Sequence, residues 1–152
     1  MNNIGIIGNG FVGNAIYQEF KKHFRMFCYD KDIDKRLHTH EETSKCDVIF
    51  LCVPTPMTHG GSFDVTILNS AITSLPPGKI LIIKSTITPT SAEELVTCFP
   101  KHSLIFNPEF LTERTAVEDF QNPSRIVIGG DSKVSVGKVK DIYRKVFPSR
   151  LI

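Results

Sequence analysis

Short apolar runs alternate along the chain with segments whose apolar residues recur every three or four positions. The runs predict strands at Asn3–Ile7, Met26–Tyr29, Asp47–Val53, Ile80–Ile83, Leu104–Phe106 and Arg125–Ile128. The helical spacing predicts helices at Phe11–Phe24, Asp64–Leu75, Thr90–Phe99 and Lys133–Phe147. Runs such as DVIFLCV, apolar nearly throughout, are typical of strands buried on both faces of a parallel sheet. The pattern therefore predicts an α/β fold, a doubly wound and mostly parallel six-stranded sheet in a single domain.

The composition limits what this domain can do. The chain has 152 residues, enough for one domain with a buried core. Its 18 basic and 16 acidic residues leave a net charge of +2, which gives no electrostatic case for binding nucleic acid or a membrane surface. No apolar run is long enough to span a bilayer, and the first residues lack the pattern of a signal peptide. We therefore expect a cytoplasmic protein.

Cysteine and histidine offer little candidate chemistry. The four cysteines, Cys28, Cys46, Cys52 and Cys98, show no CxxC spacing, and two of them lie inside strand-like runs. We expect them to act as small apolar side chains rather than as disulfides, metal ligands or nucleophiles. His38 and His40 have no third ligand nearby, so no metal site is predicted.

A glycine-rich turn follows the first strand. GIIGNGFVG places Gly8, Gly10 and Gly13 in the GxGxxG pattern between a strand and a helix, where a pyrophosphate would lie at the helix N-terminus. Asp30 ends the second strand twenty residues after Gly10, in position to accept hydrogen bonds from ribose hydroxyls and to repel a 2′-phosphate. An ordinary tight turn would explain one glycine but not all three with Asp30. We predict a Rossmann-type fold that binds NAD rather than NADP.

Three loops with unusual chemistry follow the third, fourth and fifth predicted strands. They are VPTP (Val53–Pro56), KSTITP (Lys84–Pro89) and NPEFLTE (Asn107–Glu113). Each alone is compatible with an ordinary turn. Ligands of this fold bind outside the carboxyl ends of the strands, so three such loops at one edge predict a site. Glu109 and Glu113 are four apart, and one helical turn would place both carboxylates on the same side.

These segments, together with NPEFLTERTAVEDFQNPSRIVIGG, resemble the N-terminal domain of the UDP-glucose/GDP-mannose 6-dehydrogenase family. The motifs occur in the family's order and cover nearly the whole chain. Members of that family oxidise the C6 alcohol of a nucleotide sugar to a carboxylate with two NAD molecules. The resemblance therefore implies a NAD-dependent oxidoreductase whose substrate is a UDP-sugar, with UDP-glucose as the expected one.

The resemblance also implies roles for individual residues. Thr86 would place a catalytic water, and Glu109 would perform acid–base work with it. Substrate contacts would come from Glu109, Phe110, Leu111, Thr112 and Glu113. The cofactor would be held by Gly8, Asn9, Gly10, Phe11, Val12, Gly13, Asp30, Lys35, Val53, Pro54, Thr55, Pro56, Ser85, Thr86 and Glu113.

Two departures from the family pattern shape the expected function. Relatives continue into a connecting helix and a second domain, which carries the nucleophilic cysteine, a lysine and an asparagine used in the chemistry, and most UDP-sugar contacts. We therefore expect residues 1–152 to form the NAD-binding domain only, inactive alone and completed by a complementary chain or a homo-oligomer. In addition, only sixteen residues separate Asp30 from Asp47, fewer than in relatives. A surface near the adenosine or the sugar is then missing.

Two alternatives remain open from the sequence. The chain is compatible with a free-standing dinucleotide-binding module without catalysis, since Thr86 and Glu109 indicate descent from an enzyme but not activity. It is also compatible with another dehydrogenase of the β-hydroxyacid type, although such chains lack an NPEFL stretch of this kind.

Overall fold

The computed structural model describes residues 3–152. Its strands are β1 (Asn3–Ile7), β2 (Arg25–Tyr29), β3 (Val48–Leu51), β4 (Ile80–Ile83) and β5 (Ser103–Phe106). Its helices are α1 (Phe11–Phe20), α2 (His40–Ser44), α3 (Thr66–Thr73), α4 (Pro89–Cys98), α5 (Ala116–Gln121), preceded by a 3₁₀ turn at Glu113–Thr115, and α6 (Lys133–Val146). The five strands are all parallel, in the order β2-β1-β3-β4-β5. The predicted doubly wound α/β architecture is confirmed.

The sheet separates two apolar cores, one on each face. On one face, alternate strand residues such as Ile6 and Phe50 pack against α1, α5 and α6, with Phe20 at the centre of an aromatic cluster. The Phe20 ring meets Phe50 edge-on at 5.3 Å and Tyr143 edge-on at 5.5 Å between centroids. On the other face, strand residues such as Leu51 pack against α3 and α4. Burial on both faces explains why these strands read as continuous apolar runs.

The predicted sixth strand, Arg125–Ile128, is wrong. Among residues 3–152 the sheet has five strands, and this segment makes other hydrogen bonds. The Ile126 amide donates to the Leu151 carbonyl at 3.1 Å, and the Val127 carbonyl accepts from the Asn107 side chain at 2.7 Å. The chain pairs with β5 only after Ile128, where Gly129 forms a single antiparallel bridge with Phe106 of β5. At least two of its backbone groups therefore bond outside a strand ladder.

Helix starts follow local capping. The helix predicted from Thr90 begins one residue earlier, because the Thr88 hydroxyl accepts from the Ser91 amide at 3.1 Å and Pro89 takes the first helical position. The helix α2 was not predicted, although Thr39 and Glu42 form a reciprocal capping box at its start.

The short connection between β2 and β3 folds back along the outer edge of β2. The Leu37 and His38 amides both donate to the Cys28 carbonyl, at 3.2 and 2.8 Å. The Cys28 amide in turn donates to His38 Nδ1 at 3.1 Å. The connection thus forms a strap that covers part of this sheet edge.

Candidate functional site

A cleft of about 550 Å³ opens at the carboxyl edge of the sheet, where the loops after all five strands meet. It is lined by Gly8, Gly10, Phe11, Val12, Asp30, Lys35, Cys52, Val53, Pro54, Thr55, Phe63, Lys84, Ser85, Thr86 and Glu109. Most of the residues predicted for the site are therefore brought together. This is the position at which doubly wound sheets bind their ligands.

The glycine loop has the shape of a phosphate cradle. Gly8 has φ +97°, and a Cβ on it would lie 2.6 Å from the Cys52 carbonyl oxygen. A Cβ on Gly13 would overlap the Gly8 carbonyl oxygen, so the start of α1 can lie against the loop only with glycine there. A Cβ on Gly10 would meet no atom within 4 Å and would stand in the open cleft. No side chain caps the N-terminus of α1, which leaves its first amides for an anionic ligand.

Asp30 is fixed at the opposite end of the cleft from Glu109. Its two carboxylate oxygens accept hydrogen bonds from the backbone amides of Asn9, at 2.6 Å, and Asp32, at 2.8 Å. The Asn9 side chain donates to the Lys35 carbonyl at 2.7 Å, which ties the glycine loop to the loop after β2. Asn9 therefore acts on the cleft through its neighbours rather than by lining it. This arrangement presents a carboxylate where an adenosine ribose would lie.

Replacing Asp30 with alanine is expected to narrow the preference for NAD over NADP by about tenfold, or ~1.4 kcal/mol. A fixed carboxylate beside a 2′-phosphate is a like-charge contact that the substitution removes. Calorimetric titration of both cofactors measures the ratio. Asp34→Ala is the matched control, because it removes an exposed carboxylate of the same loop that does not line the cleft. Equal binding of NAD and NADP by the unchanged chain would contradict the role of Asp30.

The loops after β3 and β4 are joined to each other by two hydroxyl hydrogen bonds. Ser85 Oγ donates to the Val53 carbonyl at 2.6 Å, and Thr55 Oγ1 donates to the Thr86 carbonyl at 2.6 Å. Val53 is buried and Thr86 is exposed at the rim. The hydroxyl residues of VPTP and KSTITP thus hold one rigid wall of the cleft. Pro56 lies outside this wall, and its carbonyl accepts from the Asp64 amide at 2.8 Å.

Glu109 and Glu113 do not share a helical turn, contrary to the prediction. The backbone from Asn107 to Thr112 is irregular, because Glu109 accepts from the Leu111 amide at 2.6 Å and so forms a local turn. Glu109 faces the cleft. Glu113 starts the 3₁₀ turn and lines a separate cavity beside α1, on the other side of Phe11.

The remaining predicted substrate residues line a neighbouring cavity of about 280 Å³. Phe110, Leu111 and Thr112 form part of its wall, and Lys84 and Glu109 separate it from the cleft. The Arg125 guanidinium lies 4.8 Å from the centroid of the Phe110 ring. The structure therefore divides the predicted site into two adjoining spaces that share Lys84 and Glu109.

Three cleft residues were missed in the sequence. Phe63 arrives from the loop at residues 57–63, which is closed by an antiparallel bridge between Met57 and Phe63. Cys52 continues directly from β3, and burial raises the pKa of its thiol to about 12, which keeps it protonated. Lys84 is only 4% exposed. The position of Lys84 directly after an apolar strand could have indicated from the sequence that it belongs to the cleft.

The sequence profile described as "UDP-glucose/GDP-mannose dehydrogenase family, NAD binding domain" matches residues 34–147. The chain belongs to this family. The match decides between the two dehydrogenase classes that the sequence left open, and it confirms NAD as the cofactor. The glycine loop and the first amides of α1 fit such a dinucleotide.

Relatives of known name agree with this assignment. The UDP-glucose 6-dehydrogenase of Rickettsia bellii is 37% identical over 116 residues, which cover 71% of this chain and 26% of that protein. A UDP-glucose dehydrogenase from Pyrobaculum islandicum superposes with a TM-score of 0.83 at 24% identity, over 96% of this chain and 44% of that one. The GDP-mannose dehydrogenase of Pseudomonas aeruginosa superposes with a TM-score of 0.80 at 20% identity, over 94% and 44% of the two chains. This NAD-binding domain thus spans about a quarter of the length of the Rickettsia protein.

No helix within residues 3–152 is long and apolar enough to cross a membrane.

Proposed function

We propose that this chain is the NAD-binding half of a nucleotide-sugar 6-dehydrogenase that converts a C6 alcohol, most simply that of UDP-glucose, to a carboxylate. The single observation that carries the proposal is that Thr86 and Glu109 line the same cleft as Gly10 and Asp30. Residues to which we assign cofactor binding and residues to which we assign chemistry therefore line one cleft. We place the activity in the cytoplasm, as the sequence predicts.

In this proposal bound NAD would supply the hydride acceptor, and the chain's own residues would bind the cofactor, orient the reactants and move protons. Asp30 would hold the adenosine end, and the α1 amides would hold the pyrophosphate. Oxidation of an alcohol to a carboxylate removes four electrons, consumes two NAD and one water, and releases protons. Glu109, held in place by the Leu111 amide, is positioned to accept a proton from that water. Thr86, whose backbone is fixed by Thr55, would orient the same water.

We further propose that the reaction needs a second protein part. By the family's route a cysteine captures the aldehyde, so that a second hydride can leave. Cys28 and Cys46 are buried, and burial raises their pKa values to about 12 and about 11, which keeps both thiols protonated. Cys52 lines the cleft but is protonated for the same reason. Holding the sugar against the nicotinamide is worth on the order of 7–11 kcal/mol, and residues outside this domain would supply much of it.

The test is NADH absorbance with UDP-glucose and related sugars. The 152-residue chain alone is expected to bind NAD without steady production of a uronic acid. A chimera in which this chain replaces the NAD-binding domain of the Rickettsia bellii enzyme is expected to be active, and Glu109→Gln in that chimera to lose at least ~100-fold in kcat. Glu94→Gln is the matched control, because Glu94 is an exposed carboxylate of α4 that does not line the cleft.

Turnover by the chain alone would refute the need for a second part. An inactive chimera that still binds NAD would instead favour the non-catalytic dinucleotide-binding module.

A further inference from the structure

Lys84 is the buried cation of the cleft. It follows β4 directly, and its amide donates to the Leu51 carbonyl at 2.9 Å, so its backbone is fixed by the sheet. The residue is 4% exposed. It nevertheless lines the cleft, the neighbouring cavity of about 280 Å³, and a further cavity of about 260 Å³ between the loops that follow β4 and β5. The surroundings of this side chain are therefore protein groups rather than water.

The ammonium group has a neutral partner. Lys84 Nζ donates to Asn107 Oδ1 at 3.1 Å, and the Tyr143 hydroxyl donates to the same oxygen. Asn107 is itself held by its bond to the Val127 carbonyl. Among the ion pairs of residues 3–152 there is none that includes Lys84. The charge is therefore removed from water without a carboxylate in contact, which makes its neutral form accessible.

The groups around Lys84 come from every neighbouring element. They are Cys52 after β3, Glu109 after β5, Tyr143 on α6 and, across the adjoining cavity, Asp119 and Arg125. Burial lowers the pKa of Lys84 to about 8, against the opposing charge of Glu109. Burial also raises the pKa values of Cys52 and Tyr143, so neither of these two groups changes charge near pH 8.

Lys84 lies in the half of the cleft that remains for the nicotinamide. Asp30 ends β2 at one side of the sheet and would hold the adenosine ribose, while the pyrophosphate would lie over Gly10. The other half of a dinucleotide would then lie toward the loops after β3 and β4, which include Lys84. The oxidised nicotinamide ring carries a positive charge, and the reduced ring is neutral.

We propose that Lys84 sets the relative affinity of the cleft for the two redox forms, by opposing the oxidised, cationic ring when its side chain is protonated. This inference rests on the assignment of the cleft to NAD made above. Binding of NAD⁺ would then lower the protonated fraction of Lys84 and release part of a proton to solvent, whereas binding of NADH would leave that fraction unchanged. The cleft thereby favours NADH at lower pH and loses this preference as the pH rises through the pKa of Lys84.

The test measures both affinities of the 152-residue chain by calorimetry between pH 7.0 and 9.5. For a further lowering of the Lys84 pKa by one to two units in the NAD⁺ complex, the ratio Kd(NAD⁺)/Kd(NADH) is expected to fall about five- to tenfold over this range. Titrations in two buffers of different ionisation enthalpy should show release of about 0.4 proton per NAD⁺ at pH 8, and none for NADH. This second measurement needs no substitution.

Lys84→Met should make the ratio independent of pH, at the value that the unchanged chain reaches at pH 9.5. Lys35→Met is the matched control, because Lys35 lines the adenosine end, where the two redox forms are identical. It should shift both affinities equally and keep the pH dependence. A constant ratio without proton release in the unchanged chain, or a pH dependence that survives in Lys84→Met, would overturn the inference. Failure to bind either redox form would refute the cleft assignment itself and this inference with it.

Discussion

Replacing Gly13 with alanine is expected to lower the free energy of unfolding by about 3 kcal/mol and to abolish NAD binding. The added methyl group would overlap the carbonyl oxygen of Gly8, so one of the two backbone segments must shift. Gly8 is itself fixed, because its amide donates to the Tyr29 carbonyl at 2.9 Å. The Cys52 carbonyl oxygen occupies the side of Gly8 on which a Cβ would stand. The start of α1 must then move away from the sheet, and the anion cradle moves with it.

Thermal unfolding and calorimetry with NAD check this result. The midpoint is expected to fall by roughly 6–12 °C for a domain of this size. Gly137→Ala is the matched control, since Gly137 lies in α6 and an added Cβ there would meet no atom within 4 Å. That control should be neutral or stabilising by up to ~1 kcal/mol, with unchanged NAD affinity. A Gly13→Ala chain with normal stability would mean that the helix does not sit against the loop as described.

Gly10→Val should separate binding from folding. Gly10 has φ −78°, a conformation open to any residue, and its missing side chain would point into empty space in the cleft. The fold is therefore expected to keep its stability within about 1 kcal/mol. The valine would occupy the space of the pyrophosphate, so the affinity for NAD should fall at least ~100-fold, or about 2.7 kcal/mol.

Circular dichroism and calorimetry on the same preparation distinguish the two effects. A folded Gly10→Val chain that binds NAD normally would show that the loop is an ordinary turn, and the cleft would lose its assigned ligand. Together with Gly13→Ala, the variant tests two glycines three residues apart that serve different purposes. Gly10 leaves space for a ligand, and Gly13 allows α1 to lie close to the loop and strand that precede it.

Much of the fold was predictable because the strands are buried on both faces. β4 has the bounds that the sequence predicts, since Ile80–Ile83 is apolar throughout and ends at a charged residue. Arg125–Ile128 was predicted for the same reason but is not a strand, because a long-range bond from the Asn107 side chain takes one of its carbonyls. Apolar pattern alone does not reveal which backbone groups a distant side chain will satisfy. The helix α2 was detectable from Thr39 and Glu42, whose spacing is that of a capping box.

The residues of the candidate site were predictable where they directly follow a strand, but not where a local turn within a loop sets their position. Gly8, Asp30, Val53 and Ser85 lie at strand ends, so the sheet topology alone brings them together. Phe63 reaches the cleft through a hairpin-like loop whose closure depends on one pair of residues. Glu113 was misplaced because a carboxylate–amide bond at Glu109 replaced the expected helical turn. Such local side-chain bonds compete with helix formation and leave little trace in residue spacing.

The two sheet edges bear on how copies of this domain can associate. On β2 the Cys28 amide and carbonyl are both taken by residues 37 and 38, and on β5 Phe106 exchanges both of its outward bonds with Gly129. Outward-facing residues alternate along a strand, so these short edges offer a visiting strand no two successive free positions. Strand addition, a common route to aggregation, is therefore hindered at both edges. A surface of helices and loops, in which shape and charge select a partner, is therefore more accessible for association than the sheet edges are.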